Sequence, residues 1–219
     1  MRLRLPRRSN PVARAYRRSR MPKAATPWRD ASFAVVDLEL TGLDPGRDEI
    51  ISFAAVPVDD GRVVPGATHA LEIRPRRMPD ATTIPIHGLR PVDLAGAPPL
   101  EEAIGPMLQA LAGRVVVAHP AWVEREFLTA AMATIGARLK EPVIDTAALA
   151  RRVLGGYGAK PSHVPLADAV EALGLPAHDP HSAAGDALTT AQLFIALATQ
   201  LDRTEPQTVG SLARLSATP

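Results

Sequence analysis

The sequence predicts an α/β fold: a mixed five-stranded sheet, made of a three-strand antiparallel meander plus two parallel strands, flanked by helices. Three observations carry this. Phe33 to Leu43 (FAVVDLELTGL) opens a series of extended runs separated by Gly and Pro turns, which reads as a hairpin-connected meander. Val115 to Ala118 is short and wholly apolar, the pattern of a strand buried on both faces. From Leu100 onward, such short runs alternate with segments of helical period.

Composition bounds the remaining possibilities. With 219 residues, 46% hydrophobic and 22% charged, the chain suits one well-packed domain with tails. It contains no cysteine, which excludes disulfides and thiolate metal sites and is compatible with a cytoplasmic location. No apolar run approaches the roughly 18 to 20 residues that a membrane span requires. Charge is uneven: residues 1–29 hold ten Lys or Arg and no acid, so the remaining 15 basic residues face 23 acids, a basic arm of +10 on a body of −8. The expected organisation is a flexible basic arm over 1–29, a domain over 30–203 and a polar tail over 204–219. Such an arm suits contact with phosphates, an acidic partner or the body itself, and its composition equally fits a solvated tail or a transit peptide.

Strand alternation sets Phe33, Val35, Asp37 and Glu39 on one face. Two carboxylates then stand side by side at the end of an apolar strand, where a divalent cation would offset their repulsion; a strand end that reaches solvent is the alternative. Thr41 to Gly46 (TGLDPG) reads as a tight loop, Ile50 to Val58 as the second strand and Thr68 to Ile73 as the third. Residues 74–99 form a long Pro-rich connection holding IPIHGL, in which His87 is either a loop histidine or a substrate contact. Leu100 to Leu111 is helical and Gly113 ends it. His119-Pro120 opens the next helix, on which Glu124 heads the apolar stripe Phe127, Leu128, Ala131 and Met132 while Glu126 points outward. Pro142 to Thr146 is a short strand whose Asp145 caps the following helix. Leu166 to Leu173 forms another helix. Ser182 caps a last one, with Ala187, Ala191, Phe194, Ala198 and Leu201 buried and Asp186 in its first turn. His181 lies five residues before Asp186, within reach of the same site.

The collected residues are Asp37, Glu39, Glu124, His181 and Asp186. In order and spacing, DLELTGL, the IHGL loop, IDTAALAR and HSAAGDALTTAQLF resemble the DnaQ-like 3′-5′ exonucleases, the DEDDh group of the ribonuclease H-like superfamily, over roughly residues 30–202. The second motif departs from the family pattern of His-Asn-Ala, any residue, Phe-Asp. Here it reads His119-Pro120-Ala121-Trp122-Val123-Glu124, so Glu124 takes the aspartate position while Pro120 and Val123 replace an amide and an aromatic.

The resemblance implies a ribonuclease H-like sheet and hydrolysis of phosphodiester bonds at 3′ ends with release of nucleoside 5′-monophosphates. Its implied cofactors are two divalent cations, Mg2+ or Mn2+, held by Asp37, Glu39, Glu124 and Asp186, with His181 as general base. Thr41, Gly42 and Leu43 would lie under the terminal nucleotide, with His87 a further substrate contact. Implied partners are single-stranded nucleic-acid 3′ ends, DNA favoured over RNA, and a polymerase or other replication protein; no membrane is involved. Two alternatives accompany this reading. The altered second motif and basic arm fit a catalytically impaired module that binds nucleic acid or a polymerase, and DLELTGLDP also resembles the oligoribonucleases.

Overall fold

The sheet has the order β3-β2-β1-β5-β6 in a computed structural model that describes residues 10–78, 88–155 and 164–217. β1 (Phe33–Leu40) is central: it pairs antiparallel with β2 (Ile50–Asp59) and parallel with β5 (Val115–Ala118), which in turn pairs parallel with β6 (Val143–Asp145). This is the expected mixed sheet with one difference. The expected third strand is β4 (His69–Glu72), and a short additional strand, β3 (Arg62–Val63), precedes it on the same outer edge of β2. A helical turn at Pro65–Ala67 divides them, because Pro65 has no amide hydrogen to continue the ladder.

Helices cover both faces, as the alternation in β1 requires. Among the described residues, α1 (Pro11–Arg18), α2 (Pro91–Leu94), α3 (Leu100–Leu111), α4 (Ala121–Ala133), α5 (Thr146–Leu154), α6 (Leu166–Ala172), α7 (Ala183–Thr204) and α8 (Val209–Ala217) follow in chain order. Ala34, Val36 and Leu38 pack with α3 and α4, whereas Phe33 and Val35 pack with α5, α7 and α8. The stripe read from sequence on α7 is buried at Ala187, Ala191, Phe194 and Ala198. Phe194 lies 4.8 Å from Phe33 and 6.2 Å from Trp28, ring centre to ring centre.

The described parts of both presumed tails, residues 10–29 and 204–217, pack on this core, which corrects the boundaries at 29 and 204. Ala13 and Tyr16 of α1 are buried, and Val12 packs beside them; Lys140 lies 4.9 Å over the Tyr16 ring. Trp28 is buried against α7. The two ends also bond to each other: Val209 N–H donates to Thr26 O at 3.0 Å, Gly210 N–H to Ala24 O at 2.8 Å, and Trp28 N–H to Gln207 O at 3.1 Å. Val209 and Leu212 then bury one side of α8. The physical reason is the same at each end: a few apolar side chains at helical spacing find a prepared surface, and tertiary burial outweighs a polar composition.

Tyr16→Ala removes a side chain that is 2% exposed, and is expected to lower the unfolding free energy by about 3 kcal/mol in urea denaturation. A loss below about 0.5 kcal/mol, the range of ordinary surface substitutions, would return this segment to solvent.

Candidate active site

β1 carries the first two acids beyond its parallel partner. Its pairing with β5 runs only from Phe33 opposite Val115 to Val35 opposite Val117, and its register against β2 shifts between Glu39 and Leu40. Asp37 and Glu39 thus stand on the α7 side of the sheet, past the last parallel rung, where α7 brings up Asp186 from its first turn. The three carboxylates offer oxygens that all lie within 4.8 Å of one another. Glu124 comes from the first turn of α4, is 3% exposed and has an Oε2 without a hydrogen-bond partner. It does not lie within that distance of all three others, but its charge acts on Asp37, and the charge of Asp145 acts on it.

Burial and mutual repulsion set the electrostatics. Burial first, then the charges of Glu124, Glu39 and Asp186, hold the Asp37 carboxyl well above the usual carboxylate range. Burial and Asp186 push Glu39 up to about 7, and burial with Asp145 pushes Glu124 up to about 8. Burial also raises Asp186, opposed by the His181 backbone N–H and the His181 charge. Among the described residues, no Lys or Arg forms an ion pair with any of the four. A hard divalent cation fits this donor set: clustered oxygens, no thiolate, and an orphaned buried carboxylate oxygen beside the cluster.

The segments around the acids approach closely at two glycines, Gly42 and Gly185. A Cβ on Gly42 would lie 2.4 Å from Asp48 Oδ2, the oxygen that accepts from Asp44 N–H at 2.9 Å. Asp48 therefore pins the loop after β1, while Thr41 Oγ accepts from Glu49 N–H. Leu43 projects from this loop and is 64% exposed. A Cβ on Gly185 would meet the His178 and Asp179 carbonyl oxygens, both at 2.3 Å. Gly185 so admits the strap 178–181 over the first turn of α7, which Ser182 caps from its side chain and Thr189 holds by accepting from His178 N–H. His181 ends the strap with φ +66°, its side chain exposed and its N–H donating to Asp186 Oδ2 at 3.2 Å.

The structure thus brings Asp37, Glu39 and Asp186 together, sets Glu124 beside Asp37, and links His181 to the cluster through its backbone. Asp145 caps α5 as read, accepting from Ala147 N–H at 2.8 Å. Pro120 is the cap residue of α4 and lies just outside that helix. His119 is buried away from the cluster, its ring between Thr146 Oγ at 2.9 Å and Val164 O at 2.8 Å. His87 lies outside the described residues. Sequence reasoning passed over Asp48 and Gly185; a Gly directly before a first-turn acid was the available signal for the second.

The family model described as an exonuclease (RNase T) matches residues 34–194, which include all five collected residues. The chain belongs to the DnaQ-like 3′-5′ exonuclease family. It is 36% identical over 177 residues to a DNA polymerase III subunit epsilon-like protein of Rhodobacter capsulatus, covering 80% of this chain and 25% of that protein. A PolC-type DNA polymerase III of Thermotoga petrophila is 36% identical over 169 residues, 77% of this chain and 12% of that one. The chain spans a quarter or less of the length of these two relatives. In fold it is similar to exonuclease X solved in complex with 5′-overhanging duplex DNA, with a TM-score of 0.64, 24% identity, and coverage of 84% of this chain and 99% of that chain.

Two expectations follow. Carboxyls raised in the folded state hold protons that the unfolded chain has lost, so stability of the metal-free protein falls as pH rises from 4.5, the ordinary glutamate value, through about 7 for Glu39 and about 8 for Glu124. In EDTA, thermal melts should give a Tm that declines between pH 5 and 8.5 by several degrees, and Mn2+ should restore more of it at the higher pH; a flat profile contradicts the uncompensated cluster. Gly185→Ala forces the strap off the first turn of α7, and a shift of about 1 Å at His181 should cost on the order of 10²-fold in turnover of a labelled oligonucleotide.

Proposed function

We propose that this chain hydrolyses phosphodiester bonds at the 3′ end of nucleic acid, single-stranded DNA in preference to RNA, releasing nucleoside 5′-monophosphates. The observation that carries the proposal is the carboxylate cluster at the end of β1, in a chain whose family is that of 3′-5′ exonucleases. Preference for DNA is supported by the DNA polymerase names of the relatives, which also suggest a polymerase as the partner; a cytoplasmic location belongs to the same reading.

Each residue has a stated part. Asp37, Glu39 and Asp186 would hold a divalent cation, Mg2+ or Mn2+, and Glu124, reaching Asp37 from α4, would hold a second. Bound there, such ions lower the pKa of a coordinated water and stabilise charge on the leaving oxygen. His181, exposed at the end of its strap, takes the proton of the attacking water on an imidazole nitrogen. Asp186 orients that strap by accepting the His181 N–H. The pinned loop 41–43 receives the terminal nucleotide, with the exposed Leu43 side chain against its base or sugar. Glu124 keeps a carboxylate where the family pattern has one, which favours activity over a purely binding role.

Asp37→Ala and His181→Ala should each reduce metal-dependent hydrolysis of a 3′-labelled oligonucleotide by at least about 10²-fold, within the usual range for a general acid–base group. Asp37→Ala should also leave the metal-free Tm unchanged or higher, because it removes a repelled charge. Parallel assays on single-stranded DNA, duplex ends, RNA and dinucleotides, with Mg2+ and with EDTA, rank the substrates. Wild-type rates in either variant would refute the assignment, and dinucleotides cleaved far faster than longer strands would replace it by an oligoribonuclease-like activity.

A further inference from the structure

The carboxylate cluster repels the polyanion it is proposed to cut, so attraction has to come from other parts of the molecule. α1 carries a cationic surface, with Arg14, Arg17 and Arg18 exposed. Its position is fixed: the Asn10 side chain caps it by accepting from Val12 N–H at 2.8 Å, Ala13 and Tyr16 are buried, and Lys140 donates to the Ser19 carbonyl and hydroxyl at its end. Arg14, Arg17, Arg18 and Arg20 all point outward, and none of them forms an ion pair or a side-chain hydrogen bond.

That arrangement is unfavourable on its own terms. Arg14 has Arg17 and Arg18 at i+3 and i+4, where like charges cost a few tenths of a kcal/mol per pair. The rest of the chain carries an excess of acids, yet none of them folds back to neutralise these arginines. The apolar residues of α1, Val12, Ala13 and Tyr16, are turned into the core, so no apolar stripe remains to enter a lipid surface. The sequence places four more arginines, at positions 2, 4, 7 and 8, immediately ahead of the cap.

A second basic group lies along the same support. A cavity of about 480 Å³ opens between the loop after β1 and the start of α3, lined by Arg47, Arg74, Arg76 and Arg77 together with Asp48, Glu49 and Leu100. Arg47 pairs with Asp48 and Arg76 with Glu49 and Glu101, which leaves Arg74 and Arg77 without an acidic partner among the described residues. Arg47 and Arg77 are exposed at its rim. Val12 of α1 packs 3.9 Å from where a Cβ on Gly105 would stand. Leu100 and Gly105 are five residues apart, roughly 7.5 Å along α3. The cavity borders the loop that leaves the catalytic strand, and α1 packs farther along α3, past Glu101 and Glu102.

We propose that α1 and the arginine-lined cavity form a backbone track that binds the phosphates of the nucleic-acid strand trailing behind the 3′ end. The inference rests on the nuclease reading of the catalytic end for the identity of its ligand. The track is sequence-independent and salt-sensitive, because Arg–phosphate attraction is set by counterion release.

The test compares the full chain with a quadruple variant, Arg14→Gln, Arg17→Gln, Arg18→Gln and Arg20→Gln. Binding of labelled dT20 is measured in EDTA, where no strand is cut, across a salt series. Each lost phosphate contact should flatten the slope of log K against log salt by about 0.7, up to nearly 3 for all four, and Kd at 0.1 M salt should rise at least about tenfold. The corresponding four Arg→Lys substitutions should retain the wild-type slope. Hydrolysis of thymidine 5′-monophosphate p-nitrophenyl ester with Mn2+, a substrate too short to reach α1, should be unchanged in both variants. A wild-type slope in the glutamine variant, or a lost slope in the lysine variant, overturns the track, as does equal affinity of the wild type for poly-L-glutamate. An ester that even the wild type leaves uncleaved counts against the nuclease reading, while a flattened slope still supports the track.

Discussion

Like-charge repulsion at the end of β1 is the constraint that the rest of the molecule answers to. Four carboxylates from three separate segments are brought near one another with no Lys or Arg among the described residues paired to them, at a cost that shows in their raised proton affinities. A fold tolerates this only if the surrounding packing over-determines the geometry. Here β1 is held on both edges, α4 buries Glu124 with the stripe it heads, and α7 packs its alanines and Phe194 against the strand face that Asp37 and Glu39 continue. The apolar core stabilises what the acidic cluster opposes, and a bound cation would reverse the sign of that opposition.

The cluster also explains why the neighbouring loops are so closely fitted. The loop after β1 is tied by the Asp48 carboxylate, which occupies the space that a side chain at Gly42 would take. The strap that presents His181 crosses α7 within a distance that only Gly185 permits, and Ser182, Thr189 and Asp186 each hold part of it. Groups that act on one bond must be held to within about 0.5 Å, and these contacts supply that restraint from outside the carboxylates.

Most of the sheet and the site was legible in the sequence because both rest on strict periodicities. Period two in FAVVDLEL put the acids on one face, and period 3.6 separated Glu124 from Glu126 and set Asp186 beside the Phe194 stripe. What was not legible depended on contacts between distant segments. Tyr16 and Ala13 sit among arginines and offer too few apolar positions for a helical signal, yet they close against α3 and Lys140. Val209 and Leu212 do the same at the other end, where the backbone of residues 207–210 bonds to residues 24–28. Gly42 and Gly185 read as loop or cap residues; their role appears only when Asp48 and the 178–179 carbonyls are seen above them. The short strand Arg62–Val63 ahead of Pro65 is a local addition that the expected meander passed over.

Charge is consequently partitioned across the molecule, acids at the catalytic end and unpaired arginines on α1. The account stands on the acids being an uncompensated cation site, and the most direct test is calorimetric titration of Mn2+ into the metal-free protein at pH 6.5 in buffers of different ionisation enthalpy, which counts the protons released. Because Glu124, and with it Asp37, binds protons above the ordinary carboxylate range, the account predicts Mn2+ binding coupled to proton release, with both strongly reduced by Asp37→Asn. Mn2+ binding without proton release, or binding that Asp37→Asn leaves intact, would contradict it.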